Sequence, residues 1–190
     1  IQQNGEQAVY YARVGTGGGV TGPLRATPDS AVQAAFPQVA AGRLSSGQQP
    51  RAFIAYVGRD PIAQAGEADT EVLMLSQDQS GGFLDNQLNM TRDDTSGETN
   101  LDFDMVKGLG TDTLVQGAVA YELDQDIFVF TTQGNNSTGP VFDLTRRRLT
   151  ESVAGFKPSI AIQSVGSGAS SYVGHVAFNA SNQSVPSIEY

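Results

Sequence analysis

The chain has 190 residues, a formal net charge of -9 and no cysteine. That length suits one domain with a core of its own. The missing thiols exclude disulfides, thiolate nucleophiles and thiolate metal ligands, and the acidic balance argues against nucleic acid, whose binding relies on Lys and Arg to neutralise phosphates.

In chain order, Ala8–Val14 reads as a first strand and runs into the small-residue stretch Gly15–Gly22. Gly17-Gly18-Gly19-Val20-Thr21-Gly22 literally matches G-x-G-x-x-G. A dinucleotide fingerprint must open a helix within a βαβ unit. Here Pro23 follows at once, so the stretch is read as a turning loop. Thr27-Pro28-Asp29 offers a capping hydroxyl, a Pro at the first helical position and an acidic first turn. The pattern predicts one short helix continuing through Phe36 and stopped by Pro37. Two turns are marginal in water, so Val32 and Phe36 are expected to pack on a sheet.

Further strands are predicted at Arg51–Val57, Glu71–Ser76, Asn100–Val106, Thr113–Leu123, Ile127–Thr132, Ser159–Val165 and Tyr172–Asn179, with a last short one at Ser187–Tyr190. Phe53-Ile54-Ala55-Tyr56-Val57 is apolar on both faces, which predicts a central strand covered on two sides. Leu101, Phe103 and Met105 or Val106 alternate with Asp102 and Asp104, which predicts one buried and one wet face. Long loops are expected at 15–49, around the helix, and at 78–97, where Phe83 and Leu84 mark a docking point. The run Arg146-Arg147-Arg148 is expected to border a strand, or to contact a carboxylate or a lipid headgroup on a partner. No apolar stretch approaches the roughly 20 residues that span a bilayer, and no signal peptide is seen. Ile1 in place of Met admits processing.

Few residues point to chemistry. His175, the only histidine, lies on a predicted strand with no Ser and Asp placed beside it, and reads as a structural or surface residue. A catalytic zinc site of the usual type needs more His or Cys ligands than the chain has. Carboxylates gather at Asp93-Asp94, Asp102/Asp104 and Asp124/Asp126. Asp124 and Asp126, between two strands, are the best candidate ligands for a structural calcium. A hairpin turn is the simpler account of them, because Asp bonds its own backbone in turns. No other cofactor is expected. Sequons begin at Asn89, Asn135, Asn136, Asn179 and Asn182, and in an exported protein those near Asn135 and Asn182, in expected loops, would be glycosylation acceptors.

Short extended runs between Gly, Ser, Asn and Asp clusters make the chain all-β. A single β-sandwich domain over 1–190, a jelly roll of about eight strands with one short helix, fits best, and an immunoglobulin-like sandwich is the alternative. Two Lys stand against nine Arg, and thirteen Asp against seven Glu. Lysine is the more strongly hydrated cation, and near 1 M salt the reach of charge falls to about 3 Å. The bias therefore reads as adaptation to concentrated salt.

With this size, strand spacing, Lys depletion and the opening Glu6-Gln7-Ala8-Val9-Tyr10-Tyr11, the chain resembles the small single-jelly-roll major capsid proteins of haloarchaeal icosahedral viruses with an internal membrane. The resemblance implies a structural and non-enzymatic virion protein. It would assemble with itself and with other capsid proteins, near a viral membrane and without contacting nucleic acid directly. Tyr10, Tyr11 and Tyr190 are then candidate interface anchors, since aromatic residues are enriched in interface cores. Gly15–Gly22 and Ser181–Tyr190 are the segments expected to reach neighbours. An exported cell-surface or pilus-like β-domain and a carbohydrate-binding module or hydrolase are the competing readings.

Overall fold

The structure is a computed structural model. It describes residues 7–28, 33–43, 48–59, 69–83, 87–91, 97–105, 116–135, 139–150, 153–165, 172–181 and 186–189. Among these the strands are β1 (Tyr10–Val14), β2 (Val20–Arg25), β3 (Ala35–Gly42), β4 (Arg51–Gly58), β5 (Glu71–Ser76), β6 (Leu88–Asn89) and β7 (Glu98–Met105). They continue as β8 (Gly117–Leu123), β9 (Asp126–Asn135), β10 (Pro140–Arg148), β11 (Ala154–Ser164), β12 (Tyr172–Ser181) and β13 (Pro186–Glu189).

Two four-stranded antiparallel sheets, β3-β4-β5-β6 and β10-β9-β8-β7, enclose the main core. Phe53, Ala55 and Val57 of β4 and Val72 and Met74 of β5 meet Leu101, Phe103, Met105, Val119, Tyr121 and Phe130 from the opposite sheet. The intervening residues of β4 and β5 point outward and are buried as well. Ile54, Tyr56, Leu73 and Leu75 lie under Val9, Ala26 and Ala34, with Tyr11 and Phe83 half-buried against them. The two-stranded β1-β2 ribbon provides part of this cover. On the far side, β11-β12-β13 covers the second sheet, with Ile160, Ile162 and Val176 against Ala118, Ala120 and Val129. The body is thus four layers of sheet, and the expectation that Phe53–Val57 is covered on both faces holds.

All-β is the class. Among the described residues, strands that pair are consecutive in the chain, apart from the order imposed by the four separate sheets. The crossovers that define a jelly roll or an immunoglobulin-like sandwich are therefore not seen in these sheets. The expected short helix is not seen either. Residues 29–32 lie outside the described residues, but Gln33 and Phe36 have φ of 60° and 50°, which a right-handed helix excludes. Ala35–Gly42 instead pairs with β4, and Phe36 is 45% exposed rather than packed. A two-turn helix has little stability of its own, whereas this segment gains a ladder along a buried strand. Pro37 is tolerated because β3 is an edge strand with a register shift between Ala35 and Gln38.

The expected loop 15–49 therefore contains β2 and β3, and 78–97 contains β6. In the second of these, Phe83 docks as expected, bridging to Gln77 and meeting Tyr11 edge-on at 5.3 Å. The Arg146–Arg148 run lies inside β10, a strand that the sequence reading missed. The supposed wet face of β7 is also corrected: Asp102 and Asp104 are half-buried under β11.

Candidate functional site

Asp124 and Gln125 form the turn between β8 and β9, with φ of 50° and 69° and with Leu123 opposite Asp126. Two central residues at positive φ make the tight hairpin turn that matches strand twist. The Asp126 carboxylate accepts from Arg148 at 2.7 Å and from the Thr150 hydroxyl at 2.8 Å through the same oxygen, Oδ1. Asp124 is exposed. Among the described residues, no group of three or more His, Cys, Asp or Glu side chains is arranged to hold a metal. His175 is exposed on β12, opposite Ala161.

Asp102 and Asp104 share one face of β7, as two residues two apart on a strand must. Through Oδ2, Asp102 accepts from the Ile160 N–H at 2.7 Å and from the Ser159 hydroxyl at 3.1 Å. Asp104 accepts from the Ile162 N–H at 2.8 Å. Glu122 of β8 accepts from the Lys157 N–H at 3.2 Å and from the Asn100 amide at 2.7 Å. Three carboxylates thus take backbone donors along the unpaired edge of β11. The pattern of a structural fastening explains them without a reaction.

The β1-β2 ribbon presents a different surface. Val14 and Val20 are cross-strand partners beside the Gly15–Gly19 turn and are 69% and 65% exposed. Leu24 of β2 and Val39 of β3 are exposed too. Gly22 has a φ of 113°, and a Cβ there would sit 2.8 Å from the Tyr11 carbonyl oxygen, so the last glycine of the G-x-G-x-x-G stretch serves a close approach of β2 to β1. Of the candidate anchors, Tyr10 and Tyr11 are half-buried on β1, and Tyr11 packs on the cluster under the ribbon. Tyr190 lies outside the described residues; of the expected reaching segments, Gly15–Gly22 is described throughout and Ser181–Tyr190 only in part, its β13 paired with β12.

Beside this ribbon lies a cleft of 410 Å³, walled by Tyr11 and Arg13 of β1, by Arg51 of β4 and by the 77–81 segment. Gln77 fixes the wall: its Oε1 accepts from the Ala52 N–H at 3.1 Å, and its Nε2 donates to the Gly81 carbonyl at 2.8 Å. Asp78 closes the turn through Oδ1, which accepts from the Ser80 hydroxyl and from the N–H groups of Ser80 and Gly82. The Ser80 hydroxyl above all holds the Asp78 carboxyl below its ordinary value; partial desolvation opposes it, and the backbone donors of the turn add to the lowering. Sequence reasoning missed this cleft. Its one signal was an arginine heading an otherwise apolar strand.

No helix among the described residues is long and apolar enough to cross a membrane. Comparison with known protein families, curated proteins and solved structures finds no match to this chain.

Proposed function

We propose that the chain is a structural subunit of a viral capsid, assembling into an icosahedral shell through contacts with copies of itself and with other capsid proteins. The observation that supports this reading is the exposed Val14/Val20 pair at the end of a glycine-turned ribbon; Leu24 further along β2 and Val39 of β3 are exposed as well. Apolar side chains displayed at the tip of a hairpin gain free energy when a partner covers them. The four-layer body beneath, buried on both faces of β4 and β5, suits a rigid building block. The reading rests on this surface and on the Lys-poor, acidic composition; it does not rest on the jelly-roll strand order that the capsid resemblance would bring.

The test is the oligomeric state across roughly 0.1 to 3 M salt, a range over which screening lengths fall from about 10 Å to below 3 Å, followed by light scattering and circular dichroism together. Wild type forms folded assemblies at high salt that dissociate at low salt, and Val14→Glu with Val20→Glu stays folded and monomeric throughout. A salt-indifferent, folded wild-type monomer would overturn the reading and favour an exported binding domain.

A further inference from the structure

A buried cation needs a counter-charge or a full set of acceptors. Arg51 is 6% exposed. Its Nη2 donates to Oε1 of Gln48 at 3.2 Å, and its Nε–H is buried with no acceptor. The ion pairs among the described residues join Arg147 to Asp143 and Arg148 to Asp126, and none involves Arg51. A guanidinium carries five donors in a rigid fork, so one amide contact leaves most of them unused. What remains open of Arg51 lines the 410 Å³ cleft.

That cleft has the size of a small-molecule site, typically about 300–1,000 Å³. Two guanidinium groups, Arg13 and Arg51, stand in its wall against the single carboxylate of Asp78, and Asp78 is engaged by its own turn. The cleft is therefore locally positive in a chain whose net charge is -9. Its 77–81 wall is preformed by the two Gln77 hydrogen bonds, while Arg13 on the opposite wall is exposed.

We propose that this cleft is an oxyanion-binding site. It takes a carboxylate or phosphate group on the Arg51 fork, with Arg13 as the outer cation. The planar fork of Arg matches the paired oxygens of either group and forms shorter, stronger bonds than neutral donors do. Such a group comes from a free small anion or from a carboxylate side chain of a second copy of this chain.

The experiment titrates the full chain with citrate and with inorganic phosphate against chloride at matched ionic strength. It reads the Arg51 Nε–Hε resonance, the melting temperature and, on the same samples, light scattering. Citrate or phosphate shifts the Arg51 resonance saturably and raises Tm by about 2–4 °C, the response of a domain this size to modest ligand stabilisation, and chloride does neither. Arg51→Lys keeps the charge, loses the fork and weakens binding about tenfold, and Arg13→Gln weakens it less. Binding by a monomer identifies a free anion as the source. Citrate that dissociates an oligomer identifies the carboxylate of a second copy. No saturable shift with either anion in wild type overturns the site, as does an Arg51→Lys protein that binds as tightly as wild type. The wild-type titration decides the proposal even where Arg51→Lys fails to fold.

Discussion

Tyr56, Leu73 and Leu75 lie under the first outer layer, whereas Ala118, Ala120 and Val129 lie under the last. The first cover is fastened by large apolar side chains, and its stabilisation scales with area removed from water at about 25 cal/mol per Å². Beneath β11 the sheet offers little side-chain volume. There the fastening is polar: Asp102, Asp104 and Glu122 receive the N–H groups of Ile160, Ile162 and Lys157. Small residues are what make that possible, because alanines let β11 approach closely enough for a carboxylate to replace a neighbouring strand's carbonyl. The same need to satisfy an open strand edge is thus met by aspartates where packing is thin.

The largest effect is expected under the apolar cover. Leu73 is fully buried, and Leu73→Ala should lower the unfolding free energy by about 2–5 kcal/mol, measured by urea denaturation with an unchanged m-value. A loss below about 1 kcal/mol would show that the β1-β2 layer contributes little. On the polar side, Asp102→Ala and Asp104→Ala should each cost about 1–3 kcal/mol, because each leaves a β11 donor without its acceptor. Asp→Asn at the same positions keeps an oxygen and should cost about half as much, since charge-assisted bonds are roughly twice as strong as neutral ones. Hydrogen exchange gives the discriminating readout: the amides of Ile160 and Ile162 lose protection while those of β4 and β5 keep it. Unchanged exchange at both would mean that β11 is held by its side chains instead.

The apolar fastening was legible in the sequence and the polar one was not. Five successive apolar residues in β4 announced burial on two faces, and the Leu101/Asp102/Phe103/Asp104 alternation gave the inward face of β7 correctly. The donors for the other face, the Ile160 and Ile162 N–H groups, lie 58 residues away in the chain, and local periodicity carries no trace of such a partner. β10 was hidden for a related reason. As an edge strand it buries little beyond Pro140 and Phe142, and its arginines, two of them paired with Asp143 and Asp126, break the apolar pattern. The helix expected through Phe36 failed because good capping residues weigh less than a ladder along β4. At the cleft the visible signal, Arg51 ahead of an apolar strand, acquires meaning only when β1 and the 77–81 turn are brought beside it.

The smallest effect sharpens the comparison, because it tests the same carboxylate-to-amide bonds without a cover. Asp78 binds the N–H groups of Ser80 and Gly82 at 2.8 and 3.0 Å in an exposed turn, with its carboxyl held below the ordinary value, first by the Ser80 hydroxyl. A carboxyl with a lowered folded pKa contributes stability that is present above its unfolded value and is lost as pH falls through the folded one. Acidification below the usual carboxylate range should therefore loosen this turn before the strands it joins. In a pH series of amide spectra, the Ser80 and Gly82 resonances should titrate with the Asp78 carboxyl, and Asp78→Asn should abolish that titration while changing global stability little. Solvent screens an exposed pair, so the bonds fix local geometry more than they stabilise the fold. Collapse of the whole molecule with the Asp78 titration would mean instead that the turn, and with it one wall of the cleft, is part of what holds the first outer layer in place.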